Sequence, residues 1–147
     1  MDTPNTKSSK SMTLTELHAK LDGDLKLDPS NLMEEASSNL NKHAWYFGQL
    51  QMHKAHLMQQ RREYEVLQKD RYNYYAGVGP NVYEYNLSAT GIKYNLEGDH
   101  MLADKRKGME MIELKMEFFI KACDLFKDRG YSIRNQIELL KFQNGMS

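Results

Sequence analysis

Between Arg61 and Tyr75 the chain interleaves cations with flat rings, reading Arg61-Arg62-Glu63-Tyr64-Glu65-Val66-Leu67-Gln68-Lys69-Asp70-Arg71-Tyr72-Asn73-Tyr74-Tyr75. Unpaired nucleic acid calls for this combination, because cations follow the phosphates while bases stack on aromatic faces at about 1–3 kcal/mol each. From Lys42 to Tyr75 there are six cations, Lys42, Lys54, Arg61, Arg62, Lys69 and Arg71, against three acidic residues, Glu63, Glu65 and Asp70. His43, His53 and His56 add to that excess below neutral pH. On composition alone the same stretch also reads as a helix whose rings, Tyr64, Tyr74 and Tyr75, pack inward while its charges face water.

Other chemistry lacks its apparatus. His53 and His56 stand at i and i+3, but no neighbouring carboxylate or thiol completes a metal shell, so both are expected to face solvent and no metal is predicted. Cys123 sits in an apolar stripe without an activating base and is expected to be inert packing. Gly77 and Gly79 have no strand before or helix after them as a dinucleotide fingerprint requires, and no phosphate-loop lysine pattern occurs. No nucleophile, base and oxyanion donor come together, so the sequence predicts neither a catalytic residue nor a cofactor.

The cation-bearing segment needs a long helix to present it. Thr13 and Glu16 have capping-box spacing and Leu14, Leu17 and Leu21 share a face, which predicts a short helix over 13–22 ended by Gly23. Asp28 before Pro29 predicts the N-cap of a second helix with proline at its first position. From Ser30 to Tyr75 there is no proline and only Gly48 as a weak point, while Leu32, Ala36, Leu40, Phe47, Leu50, Leu57, Tyr64 and Leu67 keep near-helical spacing. Such a helix spans about 70 Å, more than a compact domain of this size requires, so part of it must meet other chains or a ligand. The Gly77–Pro80 turn ends it.

Tyr83, Tyr85 and Leu87 alternate with Glu84 and Asn86, and Ile92, Tyr94 and Leu96 alternate with Lys93 and Asn95. This pattern predicts a small β-hairpin, whose tyrosines would form either a stacking platform or a half-buried strand face. Further on, Met109, Ile112, Met116, Phe119, Cys123 and Phe126 recur at alternating steps of three and four, a heptad seam. Leu114, Phe118, Ala122 and Leu125 widen that face, favouring a higher-order bundle or ring over a dimer. Gly130 reads as a C′ glycine, after which Ile133, Ile137 and Leu140 begin a final short helix on a new axis. Met109 to Phe126, with Ile133 and Ile137, are the candidate oligomerisation residues. The predicted fold class is mainly α: a long helix, a small β-hairpin and C-terminal coiled-coil-like helices forming a homo-oligomeric ring.

Composition sets the outer limits. The 147 residues suffice for one domain, or for a small domain with an extended arm, and 40% hydrophobic against 27% charged residues makes a lone core lean. The polar residues 1–12 read as a mobile tail, 13–98 as a helical region with the hairpin that carries the nucleic-acid segment (DNA-binding, by the resemblance given below), and 99–147 as the oligomerisation region. The formal charge of +0 removes the simplest nucleic-acid signature, so any phosphate site must be a local patch. A single cysteine suits a reducing compartment, and no apolar run approaches the roughly 18 residues of a membrane span, so a soluble cytoplasmic protein is expected.

Two strings, Lys69-Asp70-Arg71-Tyr72-Asn73-Tyr74-Tyr75-Ala76-Gly77 and Arg129-Gly130-Tyr131-Ser132-Ile133-Arg134, the latter continuing through Ile137-Glu138 to Lys141-Phe142 and Gly145, together with the order of elements, resemble the UvsY family of tailed-phage recombination mediators. The resemblance covers most of the chain from about Leu14 to Gly145. It implies a non-enzymatic homo-oligomeric ring, a hexamer or heptamer, in the cytoplasm of the infected bacterial host. Such a ring binds single-stranded DNA and helps load a RecA-like recombinase onto DNA covered by single-stranded DNA-binding protein. The family's Lys-x-Arg signature falls on Lys69 and Arg71, which the resemblance makes DNA contacts. Tyr74 and Tyr75 are further candidates for stacking or for fixing the helix end, and Lys54, Arg61 and Arg62 join them from the charge pattern. The longer polar start and the neutral total charge depart from the family pattern. Repetition of a modest patch around a ring compensates by avidity. The alternative reading is a coiled-coil scaffold or assembly adaptor without a DNA-binding role.

Overall fold

In the computed structural model, which describes residues 12–145, the capping box at Thr13 forms as its spacing predicts: the Thr13 hydroxyl accepts the Glu16 N–H at 3.1 Å and the Glu16 carboxylate accepts the Thr13 N–H at 3.4 Å. Four helices follow, α1 (Leu14–Leu25), α2 (Leu32–Ala76), α3 (Ala89–Glu97) and α4 (His100–Gln143), and no strand occurs among the described residues. No described helix is long and apolar enough to cross a membrane. The predicted tail lies outside the described residues except for Met12, which packs partly buried against the core.

Four expectations need correction. Helix α1 passes through Gly23 and ends at Leu25, because Asp24 is anchored from two sides: its carboxylate accepts the Tyr46 hydroxyl at 2.9 Å and its carbonyl accepts the Lys42 ammonium at 3.2 Å. Those contacts outweigh the roughly 1 kcal/mol propensity cost of one glycine. Helix α2 begins at Leu32, not at Pro29. The Asp28 carboxylate instead accepts the Ser30 N–H at 2.9 Å and the Ser30 hydroxyl at 2.6 Å, closing a local turn ahead of the helix.

The hairpin is absent. Residues 82–87 are irregular, and the second predicted strand is helix α3, capped by the Ser88 hydroxyl accepting the Gly91 N–H at 3.2 Å. Ile92 and Leu96 stand four apart and face inward while Tyr94 is 76% exposed, so a short run satisfied both an alternating and a helical pattern, and the serine cap decides between them. Lastly, α4 continues through Gly130 without a new axis. A Cβ at Gly130 would lie 3.2 Å from the Asn39 side-chain nitrogen, so this glycine serves close helix packing and not helix termination.

The chain divides into two compact units, one of residues 12–52 with 115–145, the other of 53–114. In the first, Leu17 and Leu21 of α1, Tyr46 and Leu50 of α2, and Phe118, Phe119, Ala122 and Phe126 of α4 form one core. Tyr46, Phe119 and Phe126 are fully buried, and each such side chain contributes about 1.5–3 kcal/mol by leaving water. Arg129 is buried beside this core. It donates to the Leu25 and Lys26 carbonyls at 3.2 and 2.7 Å, to Asn39 at 2.9 Å, and to the Glu35 carboxylate. A guanidinium at the C-terminal carbonyls of α1 also complements the negative end of the helix dipole. The Arg129-Gly130 string is therefore structural: the charge closes α1 and the glycine admits Asn39.

Candidate nucleic-acid interface

The second unit is built around the end of α2. Gly77, at φ +78, is the C′ residue of a Schellman motif, in which Val78 N–H donates to the Asn73 carbonyl at 2.9 Å and Gly77 N–H to Tyr74 at 3.4 Å. The following segment folds back, Tyr83 N–H donating to the Tyr74 carbonyl at 3.0 Å. Its ring then packs edge-on against Tyr75 and Tyr74 at 5.3 and 5.9 Å, and Tyr85 against Tyr83 at 5.6 Å. The alternating tyrosines thus cover a helix end and not a partner strand.

Asp99 organises this region. One carboxylate oxygen accepts both the Arg71 Nε–H and the Tyr75 hydroxyl at 2.8 Å, while the other accepts the Leu102 N–H at 3.0 Å and caps α4. Burial works against the carboxylate, yet the Leu102 N–H, the Tyr75 hydroxyl and the Arg71 guanidinium outweigh it and hold the Asp99 carboxyl below its ordinary range. Burial first, and then Asp99, push the Tyr75 hydroxyl up. Arg71 also lies over the Tyr74 ring at 4.3 Å. Of the Lys-x-Arg pair, then, Arg71 is engaged by a buried acid while Lys69 is exposed and has no ion-pair partner among the described residues. Tyr75 is buried and Tyr74 half-buried, so both fix the helix end.

The remaining candidates share one face of α2. On a wheel of 3.6 residues per turn, Lys54, Arg61, Arg62 and Lys69 fall within about 100° of one another and cover about 22 Å of axis. All four are exposed. Arg61 reaches Glu113 at 3.5 Å in an exposed pair of little energetic consequence, and Lys54 and Arg62, like Lys69, have no ion-pair partner among the described residues. Glu63 points about 180° away from Lys54 and is tied to Lys105, which holds its carboxyl below the ordinary value. Glu65 is the acidic residue left within the face. The result is a cationic stripe on a neutral chain, suited to a polyanion's phosphates.

The predicted seam lands elsewhere. Phe119 and Phe126 are fully buried within the chain, Ile112 and Ile133 are buried, and Met109, Met116, Cys123 and Ile137 are partly so. In the first unit, α1 and α2 of the same chain occupy the stripe that heptad spacing assigned to other chains. The large apolar side chains left in water are different ones, among them Met33 and Leu40 on α2 and Tyr131, Leu139 and Phe142 on α4. His53 is buried at 1% exposure, not solvent-facing as its spacing with His56 suggested. Burial pushes the Cys123 thiol up, in keeping with inert packing. Sequence reasoning missed Asp99, although an aspartate before His100-Met101-Leu102 is an N-cap signal. It also passed over Tyr72, the ring of the string that stays 51% exposed.

Comparison with known proteins places the fold. Residues 20–146 match the family described as "Recombination, repair and ssDNA binding protein UvsY". Two crystal structures of the bacteriophage T4 recombination mediator protein UvsY share the fold. The lattice type II structure has a TM-score of 0.80 at 21% identity, covering 90% of this chain and 98% of that one. The lattice type IV structure has a TM-score of 0.79 at 22% identity, covering 89% and 99%. No curated protein matches by sequence.

Proposed function

The chain belongs to the UvsY family of recombination, repair and single-stranded DNA-binding proteins, and on that premise we propose that it is a mediator which binds single-stranded DNA as a homo-oligomeric ring and promotes loading of a RecA-like recombinase onto DNA covered by single-stranded DNA-binding protein. The family acts by binding and not by catalysis. The observation that carries the reading is the exposed stripe of Lys54, Arg61, Arg62 and Lys69, four cations on a face that holds one acid, Glu65. Lys69 is the central phosphate contact. Arg71 supports it by holding the end of α2 against Asp99.

One stripe on a chain of +0 charge binds weakly, and several copies raise the effective concentration of each successive contact. A strand held across several stripes is shaped for an incoming recombinase while the coating protein's grip is loosened. Mediation is then differential binding with no bond broken. The first unit supplies the assembly surface. A groove of about 530 Å³ between α2 and α4, with Leu40, Ile133 and Ile137 in its walls, lies in the same unit as Phe142, which is 82% exposed. A chain without net charge lacks the self-repulsion that keeps such surfaces apart, so the occupant that fits is a second copy. Met116, Phe119, Cys123 and Phe126 contribute by holding α4 against α1 and α2 in this unit.

Sedimentation of the full chain with and without an oligo-dT strand tests this reading. An assembly of several subunits that binds the strand is expected; a monomer that ignores it in low salt would overturn the proposal.

A further inference from the structure

The string Arg71-Tyr72-Asn73-Tyr74-Tyr75 holds three rings, and the fold treats them differently. Tyr75 is 9% exposed with its hydroxyl on Asp99. Tyr74 has the Arg71 guanidinium over its ring and the edges of Tyr75 and Tyr83 against it. Neither can offer a face to a ligand without dismantling the helix end. Tyr72 is 51% exposed and has no hydrogen-bond or ring partner among the described residues.

Its position is what gives that ring a use. Tyr72 follows Lys69 by three residues, so the two side chains are neighbours on one helix surface, about 5–6 Å apart at Cβ. It continues the line from Lys54 through Arg61 to Lys69, a face whose single acid is Glu65, two turns back from Tyr72, whereas Asp70 lies about 160° around the helix from it. A free ammonium and a free aromatic face, one turn apart, match the two halves of a nucleotide: an anionic phosphate and a flat base.

We propose that Lys69 and Tyr72 form a nucleotide-binding subsite, the ammonium holding a phosphate and the Tyr72 ring stacking an unpaired base. The inference rests on the reading of the cationic stripe as the path of the strand, and deepens it by giving the site a contact that duplex DNA, with its bases already stacked, cannot satisfy. Every base has a π-face, so the subsite selects single strands without selecting sequence.

The test uses the full chain with Tyr72→Ala and Tyr72→Phe, titrated against an oligo-dT strand and an abasic strand of equal length. Tyr72→Ala weakens oligo-dT binding about fivefold or more, leaves the salt dependence and the assembly mass unchanged, and has no effect on the abasic strand; Tyr72→Phe binds like the parent. Parent-like binding of oligo-dT by Tyr72→Ala, or an equal loss on both strands, overturns the subsite while leaving the stripe intact if Lys69→Ala still weakens binding. A parent chain that binds neither strand overturns both readings.

Discussion

The arrangement around Asp99 gives the Lys-x-Arg pair a division of labour that a double-mutant cycle can measure. Asp99 accepts three hydrogen bonds, from Arg71, Tyr75 and Leu102, and is 3% exposed. Asp99→Ala therefore removes a helix cap, a loss of about 0.5–2 kcal/mol, and leaves the Arg71 guanidinium and the Tyr75 hydroxyl without their acceptor. With Arg71 itself largely buried, the total is about 3–5 kcal/mol, the range for breaking a buried pair from one side. Arg71→Ala leaves Asp99 two of its three donors, so about 2–3 kcal/mol is expected. Once one partner is gone the other has less to lose, and the double variant should fall short of the sum by about 1–3 kcal/mol. Urea unfolding at fixed protomer concentration reads this coupling, and the same variants titrated with oligo-dT read the role of the charge. A positioning Arg71 gains no DNA affinity when Asp99→Ala frees it. Additive single effects, or an Asp99→Ala variant that binds DNA more tightly with a salt slope steeper by about 1, would show Arg71 to be a phosphate contact held in check and would refute the reasoning.

Other substitutions separate core from surface. Phe119→Ala should destabilise the first unit by about 3–5 kcal/mol in urea unfolding, whereas Phe142→Asp should leave helix content and unfolding unchanged and lower the assembly mass seen by sedimentation. Gly130→Ala should lower Tm, because Asn39, pinned by Phe126 and Arg129, cannot yield to a Cβ at 3.2 Å; Gly108→Ala, mid-helix with open space around it, should raise stability by up to about 1 kcal/mol. Asp28, Glu35, Glu63 and Asp99 are all held below their ordinary carboxyl values, so their stabilisation is full above about pH 4.5 and is lost as pH falls through the lowered native values. Asp99→Asn should flatten that acid limb in a series of melting curves; an unchanged acid limb would remove Asp99 from this account.

The helices were legible where local chemistry and periodicity agreed. Thr13 with Glu16, the proline-free run to Tyr75 and the glycines after it each carry their own signal, and the chain follows them. The hairpin misled because five residues from Ile92 to Leu96 cannot separate a period of two from an i, i+4 pair. The Phe119 and Phe126 stripe was visible as apolar, but a heptad does not say whether its partner is the same chain or another, and here Leu17, Leu21 and Tyr46 reach it first. Gly130 reads alike as a cap or a packing glycine until Asn39, far away in sequence, is seen beside it. At the site, the local excess of cations was legible in the sequence, and Lys54, Arg61, Arg62 and Lys69 are exposed in the fold. The pairing of Arg71 with Asp99 and of Glu63 with Lys105 was not legible there, because those partners come from 28 and 42 residues away.

The salt dependence of single-stranded DNA affinity for a Lys54→Ala, Arg62→Ala, Lys69→Ala triple variant, compared with the parent at equal assembly mass, tests the cationic stripe most directly. At about 0.7 per phosphate contact for single strands, the log–log slope should become shallower by about 2 for each engaged subunit, with weaker binding at low salt. An unchanged slope and affinity in a correctly assembled triple variant would place the DNA elsewhere and contradict the account.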